Sequence, residues 1–304
     1  MTFINDLFEY TFLARALFTA SVVGLVCGVI GSFIILRGLS LMGDAISHAV
    51  LPGIALAFMF DVSFFVGALA AGLLAAFGIG VVSTTTTLKR DTSIGIVFTA
   101  FLAFGIILLS NTTATFSLTD VLFGNVLAVR KQDMWLAVVI GVVVCAGVLL
   151  FYKQLKITTF DPVLADSYGV PVKAVHYGVL VALALVTVAS VQTVGVILVV
   201  ALLITPAATA YLLTSRLPSM IAVSALIGVV AAAGGMYFSV RFNIVSGPAI
   251  VLTAFTMFTL AYLFAPRTGI VTKAIAGRSG RDADAADAAA DDAAATDAAG
   301  SARP

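Results

Sequence analysis

The chain has 304 residues, of which 61% are hydrophobic and only 10% are charged, and its mean hydropathy is +1.16. A soluble domain carries about a quarter of charged residues, so this chain has too few polar side chains to cover a water-facing globule. Its 16 Lys and Arg against 15 Asp and Glu give a net charge of +1, which favours no nucleic-acid partner. The composition therefore predicts a polytopic integral membrane protein surrounded by lipid.

Apolar stretches recur along most of the chain, and a bilayer core about 30 Å thick needs roughly 20 such residues per helix. Long runs without alternation favour helices over the strands of a membrane barrel. The first stretch is too long for a signal peptide, so we expect it to remain in the mature protein. We predict an all-α bundle of eight or nine transmembrane helices, because the second stretch is short and the sixth and seventh are poorly separated. The candidate spans are 12–36, 45–60, 63–83, 92–110, 134–152, 174–190, 193–214, 220–238 and 246–264.

Basic residues near the span ends predict the orientation in the membrane, because cytoplasmic loops are enriched in Lys and Arg. Alternating the loops between the two sides gives one basic-rich side, which we predict to be cytoplasmic together with the C-terminus, and an outer N-terminus. That assignment puts the start of the second span near the cytoplasm. The basic-rich side holds Arg37, Lys89, Arg90, Lys153, Lys156, Lys173, Arg216, Arg267 and Lys273, and the other side holds Arg15, Arg130, Lys131 and Arg241.

Two segments differ in composition from the spans. After residue 276 the chain consists mainly of Gly, Arg, Asp and Ala, without a large apolar residue that could pack a core. We therefore divide the chain into a transmembrane domain, 1–273, and a disordered Asp/Ala-rich cytoplasmic tail, 274–304. The mixed segment 111–133 fits an outer loop with a short interfacial or re-entrant helix.

An acidic residue and a histidine lie within the second span. Asp44 and His48 are four residues apart, which places them on one helical face. Ionisable residues in a membrane span are costly and are functional candidates by default. A carboxylate oxygen and an imidazole nitrogen suit a first-row divalent ion such as Mn²⁺, Fe²⁺ or Zn²⁺, and two ligands would hold it loosely enough for release. Pro52 and Gly53 follow, and they can interrupt the helix and free backbone carbonyls toward a cavity.

Spacing does not settle this interpretation. The same pair could form an Asp–His hydrogen bond that stabilises the start of a helix, with Asp44 near the positive end of the helix dipole. The other histidine of the chain, His176, has no acidic residue at helical spacing and is most simply an interfacial side chain.

A short capped helix is predicted on the basic-rich side. Asp161 is a favourable N-cap, Pro162 occupies the first helical position, and Gly169 supplies the left-handed residue after the helix. Its apolar face could dock on a soluble partner, or the segment could be a connector lying against the headgroups. The sequence contains no GxxxxGK[ST] phosphate-binding loop, so ATP-driven transport would require a separate ATPase subunit. The apolar face consists of Phe160, Val163, Leu164 and Tyr168.

Four segments together resemble the ABC-3 family, the membrane subunits of manganese, zinc and iron ABC importers. They are RGLSLMGDAISHAVLPG at 37–53, DTSIGIVF at 91–98, FDP at 160–162 and VGVILVVALLITPAAT at 194–209. The resemblance extends over about 12–264 and excludes the tail. It implies a fold similar to vitamin B12-type importer permeases and a multi-pass location in the plasma membrane. It also implies three protein partners: an ABC ATPase subunit inside, an extracytoplasmic metal-binding protein outside, and a second copy of the chain.

The resemblance also implies roles for individual residues. Asp44 and His48 match the metal-coordinating pair on the translocation path, so the metal would be a transported Mn²⁺, Zn²⁺ or Fe²⁺ and not a permanent cofactor. Asp161, Pro162, Ala165 and Gly169 match the coupling helix that contacts the ATPase. The chain itself would not be an enzyme.

Three alternative functions remain open from sequence. A permease for a metal chelate or a cobalamin-type cargo would need a wider apolar lumen and no Asp–His pair. An intramembrane metalloenzyme would need a third ligand and an activated water. A structural or signalling bundle would transport nothing and would not associate with an ATPase.

Overall fold

The computed structural model describes residues 10–110 and 126–265, with the side chain of Leu127 excepted. Within these ranges the regular structure is entirely helical and contains no strand, as the sequence predicts. The predicted tail, 274–304, and most of the predicted outer loop, 111–125, lie outside the described residues. The helices are α1 (Thr11–Leu36), α2 (Ser40–Ala49), α3 (Leu51–Met59), α4 (Phe64–Thr85), α5 (Arg90–Ser110), α6 (Lys131–Leu150), α7 (Tyr152–Phe160), α8 (Pro162–Ser167), α9 (Val172–Val194), α10 (Val196–Leu213), α11 (Leu217–Phe242) and α12 (Ser246–Phe264), with a short 3₁₀ turn at Val126–Ala128.

Nine stretches of the described chain are long and apolar enough to cross a membrane, which resolves the predicted choice of eight or nine. The uncertain sixth and seventh spans separate at Gly195, where a φ of +85° ends α9 and lets α10 begin at the next residue. Glycine adopts this left-handed conformation without the steric cost that a Cβ imposes. The second span consists of α2 and α3 together, Ser40–Met59. It therefore starts five residues earlier than the predicted boundary at 45.

Helix α1 lies at the centre of the packing and contacts α11 and α10 most extensively. Its small residues allow this approach: a Cβ on Gly28 would lie 2.6 Å from the carbonyl oxygen of Ser224, and the Ser224 hydroxyl donates to the Gly28 carbonyl at 2.8 Å. Gly24 is packed equally closely against Gly228. The small residues of the first span therefore serve close helix–helix packing.

Residues predicted to share the cytoplasmic side lie together in the structure. The Arg90 side chain donates from Nη1 to the carbonyl oxygen of Arg37 at 2.7 Å, and the Arg37 side chain reaches the end of α7. The fold therefore agrees with the predicted grouping of Arg37 and Arg90 on one side of the membrane. Contacts divide the chain into two compact units, residues 1–258 and residues 259–304, and the described part of the second comprises the end of α12 and Ala265.

Candidate metal pathway and coupling helix

Helix α2 is largely buried, and its accessible residues form one stripe. Of its ten residues, only Ser40, Leu41, Asp44 and His48 are not fully buried by the rest of the chain. Leu41, Asp44 and His48 follow each other at spacings of three and four, which is the repeat of a single helical face. The two ionisable side chains of this helix therefore share the one face that the chain leaves accessible.

The Asp44 and His48 side chains approach each other within this stripe. The His48 Nε2 and Asp44 Oδ1 atoms lie 3.6 Å apart, and the two side chains are 25% and 46% exposed, respectively. This separation exceeds a good hydrogen-bond distance. An ion about 2.1 Å from each donor would fit between atoms this far apart. The structure thus brings the predicted ligand pair together on one helical face.

An aromatic residue contacts the imidazole from the neighbouring helix. The ring of Phe98, on α5, meets the His48 ring edge-on, with the centroids 5.7 Å apart. A packed ring restricts the rotation of the imidazole and so holds its nitrogens in position. The described residues contain no cluster of three or more His, Cys, Asp or Glu that could close a metal cage. The intramembrane metalloenzyme, which requires a third ligand of this kind, therefore gains no support.

The longer second span changes the depth of the pair. Because the span begins at Ser40, His48 lies eight residues into a 20-residue span, about 12 Å from its start at 1.5 Å per residue. The sequence boundary at 45 had put the pair close to the cytoplasmic end. The observed boundary therefore places His48 well inside the span and not at its cytoplasmic end.

The break after the pair lies where Pro52 and Gly53 predict it. Helix α2 ends at Ala49 and α3 begins at Leu51, and Pro52 cannot donate the backbone hydrogen bond that the His48 carbonyl would otherwise accept. Pro52 and Gly53 also line a cavity of about 500 Å³. This cavity is lined entirely by apolar residues and does not include Asp44 or His48, so the predicted opening is present but is not a polar ion path.

The predicted capped helix is present as α8, six residues long. The Asp161 carboxylate accepts a hydrogen bond from the Leu164 backbone N–H at 2.8 Å, and Pro162 opens the helix. At the other end Gly169 has a φ of +75°, and the Val170 N–H donates back to the Ala165 carbonyl at 3.0 Å. These bonds satisfy backbone groups at both ends of a helix too short to be stable by itself.

Only one residue of helix α8 is buried against the bundle, and the other residues of the helix are exposed. Ala165 is fully buried, whereas the apolar side chains of the segment are 45–77% exposed. An apolar patch held by rigid caps outside the membrane spans has the character of a protein-docking surface. The exposed side chains are Phe160, Val163, Leu164 and Tyr168.

A connection between these two regions was not predicted from the sequence. Arg37 lies between α1 and α2, and its Nε and Nη2 donate to the hydroxyls of Thr159 and Thr158 at 3.1 and 2.9 Å. The threonines lie in the last turn of α7, which ends at Phe160 immediately before the Asp161 cap. Arg37 falls within the motif at 37–53, but no local spacing relates it to a pair of threonines more than 120 residues away.

Comparison with known proteins agrees with these features. The profile of the ABC 3 transport family matches residues 9–265. The chain is 55% identical to the manganese transport system membrane protein MntC of Listeria monocytogenes over 89% of this chain and 97% of that protein. It is 40% identical to YfeD of Yersinia pestis, a chelated iron transport system membrane protein, over 86% of this chain and 88% of that one.

A solved structure extends the comparison to the fold. PsaBC from Streptococcus pneumoniae in complex with Fab contains a chain that is 48% identical, with a TM-score of 0.79 over 88% of this chain and 96% of that chain. The resemblance inferred from the four motifs is thereby confirmed over the whole described bundle. The chain is a multi-pass membrane protein that belongs to the ABC 3 transport family.

Proposed function

We propose that this permease carries a divalent transition metal ion through the membrane, with Mn²⁺ as the first candidate, and that Asp44 and His48 contact the ion in transit. The observation that carries the proposal is the accessible stripe of α2, on which an imidazole and a carboxylate lie 3.6 Å apart. The name of the MntC relative supports manganese as the cargo.

The donor set suits a cargo ion. One carboxylate oxygen and one imidazole nitrogen bind Mn²⁺, Fe²⁺ and Zn²⁺, and they leave most coordination positions to water or to groups from outside the chain. A loosely held ion can leave in the direction of transport, which a closed cage would prevent. The metal is then the substrate of the protein and not a resident cofactor.

The exposure of the pair is consistent with a pathway shared between two copies of the chain. Asp44 is nearly half exposed although α2 is otherwise buried in its own bundle. A second copy facing this stripe would enclose the side chains and contribute an equivalent pair. We therefore propose a homodimer with the path at its interface, supplied by an extracytoplasmic metal-binding protein.

Transport energy would come from a separate ATPase subunit that docks on α8. The caps of Asp161 and Gly169 fix the helix, Pro162 starts it, and buried Ala165 anchors it to the bundle. The exposed apolar side chains then contact the ATPase. In this proposal Arg37 links the end of α7 to the start of α2, so displacement of α8 would be transmitted to the helix that carries the metal ligands.

A chelated metal is the second candidate cargo, since the YfeD relative is named for chelated iron transport. A chelate brings its own ligands and would gain nothing from a bare carboxylate and imidazole. The accessible pair of α2 therefore favours the free ion.

The test is uptake of labelled Mn²⁺ by proteoliposomes that contain the permease together with its ATPase and binding protein. Unlabelled Mn²⁺, Zn²⁺, Fe²⁺ and a Mn²⁺ chelate are added as competitors. The proposal expects free Mn²⁺ to compete best. Stronger competition by the chelate would transfer the assignment to the second candidate, and competition by none of the four would reject metal transport.

A further inference from the structure

A second cavity, which unlike the first is polar, lies at the end of the bundle that holds Arg37. Its volume is about 530 Å³, and it is formed where α1, α4, α5, α7, α8 and α9 end or begin. It differs from the apolar cavity near Pro52 because polar and charged side chains make up much of its wall. The lining residues used below are Arg37, Arg90, Lys173, His176 and Thr159.

The charges in this cavity are all of one sign. Arg37, Arg90 and Lys173 line it, His176 lies beside them, and no Asp or Glu is among the lining residues. Within the described residues the ion pairs are Asp44–His48 and Arg130–Asp133, so none of the three cations is paired with a carboxylate.

Arg37 is the most constrained of these cations. Burial and the neighbouring Arg90 lower the pKa of Arg37 to about 10, so the guanidinium remains protonated at neutral pH. Its hydrogen bonds go to the neutral hydroxyls of Thr158 and Thr159. Two arginines and a lysine around one cavity repel one another, and an anion bound there would relieve that repulsion.

The cavity lies at the ends of several membrane spans. Four of the six helices around it are membrane spans, and they contribute residues within a few positions of their ends: Leu36 and Arg37 for α1, Ser83–Thr85 for α4, Arg90 for α5 and Val172–Tyr177 for α9. The same residues lie on the side predicted to be cytoplasmic. Basic pockets between membrane helices on this side are suited to acidic lipid headgroups.

We propose that this cavity binds a phosphate group, and that the phosphate belongs to the headgroup of an anionic phospholipid. Arg37 and Arg90 supply planar donors that match phosphate oxygens, and Lys173 supplies a mobile ammonium at the rim. The site is separate from the metal pathway, and the bound headgroup would fix Arg37 and with it the connection to α7.

Lipid retention by the full chain tests the proposal. The protein is reconstituted in nanodiscs of phosphatidylcholine, or of phosphatidylcholine with a minor fraction of phosphatidylglycerol or cardiolipin, and the lipids that remain after detergent exchange are measured by native mass spectrometry. Thermal unfolding is followed in parallel, with inorganic phosphate as the non-lipid probe. We expect anionic lipid to be retained and to raise the unfolding temperature.

The variants separate the cavity from general surface charge. Lys173→Gln, and Lys173→Gln with Arg90→Gln, should weaken retention about fivefold for each charge removed. The matched control is Lys153→Gln with Lys156→Gln, which removes two exposed charges from α7 outside the cavity. Lys173→Arg keeps the charge and should retain lipid.

Retention lost only in the cavity variants supports the lipid site. If inorganic phosphate raises the unfolding temperature, the cavity variants abolish this effect and no lipid is retained, the phosphate site is supported. Its ligand is then a soluble phosphate and not a lipid headgroup. Equal loss in the cavity and control variants, or no effect of either probe on the wild type, overturns the proposal. Lys173 makes no ion pair in the described structure, so Lys173→Gln is the variant least expected to disturb folding.

Discussion

Arg37, the residue that follows α1, donates a hydrogen bond from Nη2 to the Thr158 hydroxyl at 2.9 Å, across 121 residues of sequence. A second bond from Nε reaches Thr159 at 3.1 Å. One guanidinium thus joins the segment between α1 and α2 to the last turn of α7, which precedes α8.

Removing the two hydroxyls should weaken this connection while preserving shape. In Thr158→Val with Thr159→Val, the Arg37 guanidinium loses two partners in a partly buried site, which we expect to cost about 1–3 kcal/mol of stability. We further expect fewer ions transported per ATP hydrolysed, because α8 would move without carrying α2. The measurement is the ratio of metal uptake to ATP hydrolysis. Thr86→Val is the control, since the Thr86 hydroxyl is exposed and donates to the Val82 carbonyl in the last turn of α4. An unchanged ratio in the double variant would remove Arg37 from the coupling route.

Loss of the α8 cap should reduce association with the ATPase. Asp161→Ala removes the side-chain acceptor for the Leu164 N–H and should cost about 1 kcal/mol locally. The docking surface would then be less ordered and would bind the ATPase more weakly, as measured by co-purification and by stimulated ATP hydrolysis. Asp166→Ala removes the same charge from the same helix without removing the cap. If both variants bind the ATPase equally weakly, charge and not helix order explains the effect.

The close approach of α3 and α4 should tolerate no side chain. A Cβ on Gly53 would overlap the Gly67 carbonyl oxygen, and a Cβ on Gly67 would overlap the Gly53 carbonyl oxygen. Gly53→Ala and Gly67→Ala should therefore each destabilise the fold by about 1–3 kcal/mol, seen as a lower unfolding temperature in detergent. Gly147→Ala meets nothing within 4 Å and gains helix propensity, so it should be neutral or stabilising. Equal behaviour of the three variants would contradict the backbone contact.

Features that depend on residues close together in the sequence could be predicted. The hydropathy of the spans specified an all-α membrane bundle, and the Asp161, Pro162 and Gly169 signals specified α8, because capping depends on residues a few positions apart. The pairing of Asp44 with His48 followed from helical spacing for the same reason. Where the second span begins was predicted wrongly: Ser40, Gly43 and Asp44 lower its mean hydropathy, whereas the folded helix buries Met42 and Gly43 against neighbouring helices.

Features that depend on distant parts of the chain were not predictable. No spacing rule connects Arg37 to Thr158, and the convergence of Arg37, Arg90 and Lys173 on one cavity arises from the packing of separate spans. Gly195 is an intermediate case. A glycine in a long apolar run is common in membrane helices, and only its positive φ shows that it separates two spans.

Metal uptake by Asp44 and His48 variants tests the central claim most directly. Wild-type, Asp44→Asn, His48→Ala and the control Asp133→Asn, which removes the carboxylate of the Arg130–Asp133 pair on α6, are reconstituted at equal amounts and supplied with labelled Mn²⁺ and ATP. We predict that uptake is lost in the Asp44 and His48 variants and kept in the control, with ATP hydrolysis still measurable in all four. Wild-type rates of uptake in both Asp44→Asn and His48→Ala would contradict the assignment of the ion path to this face of α2.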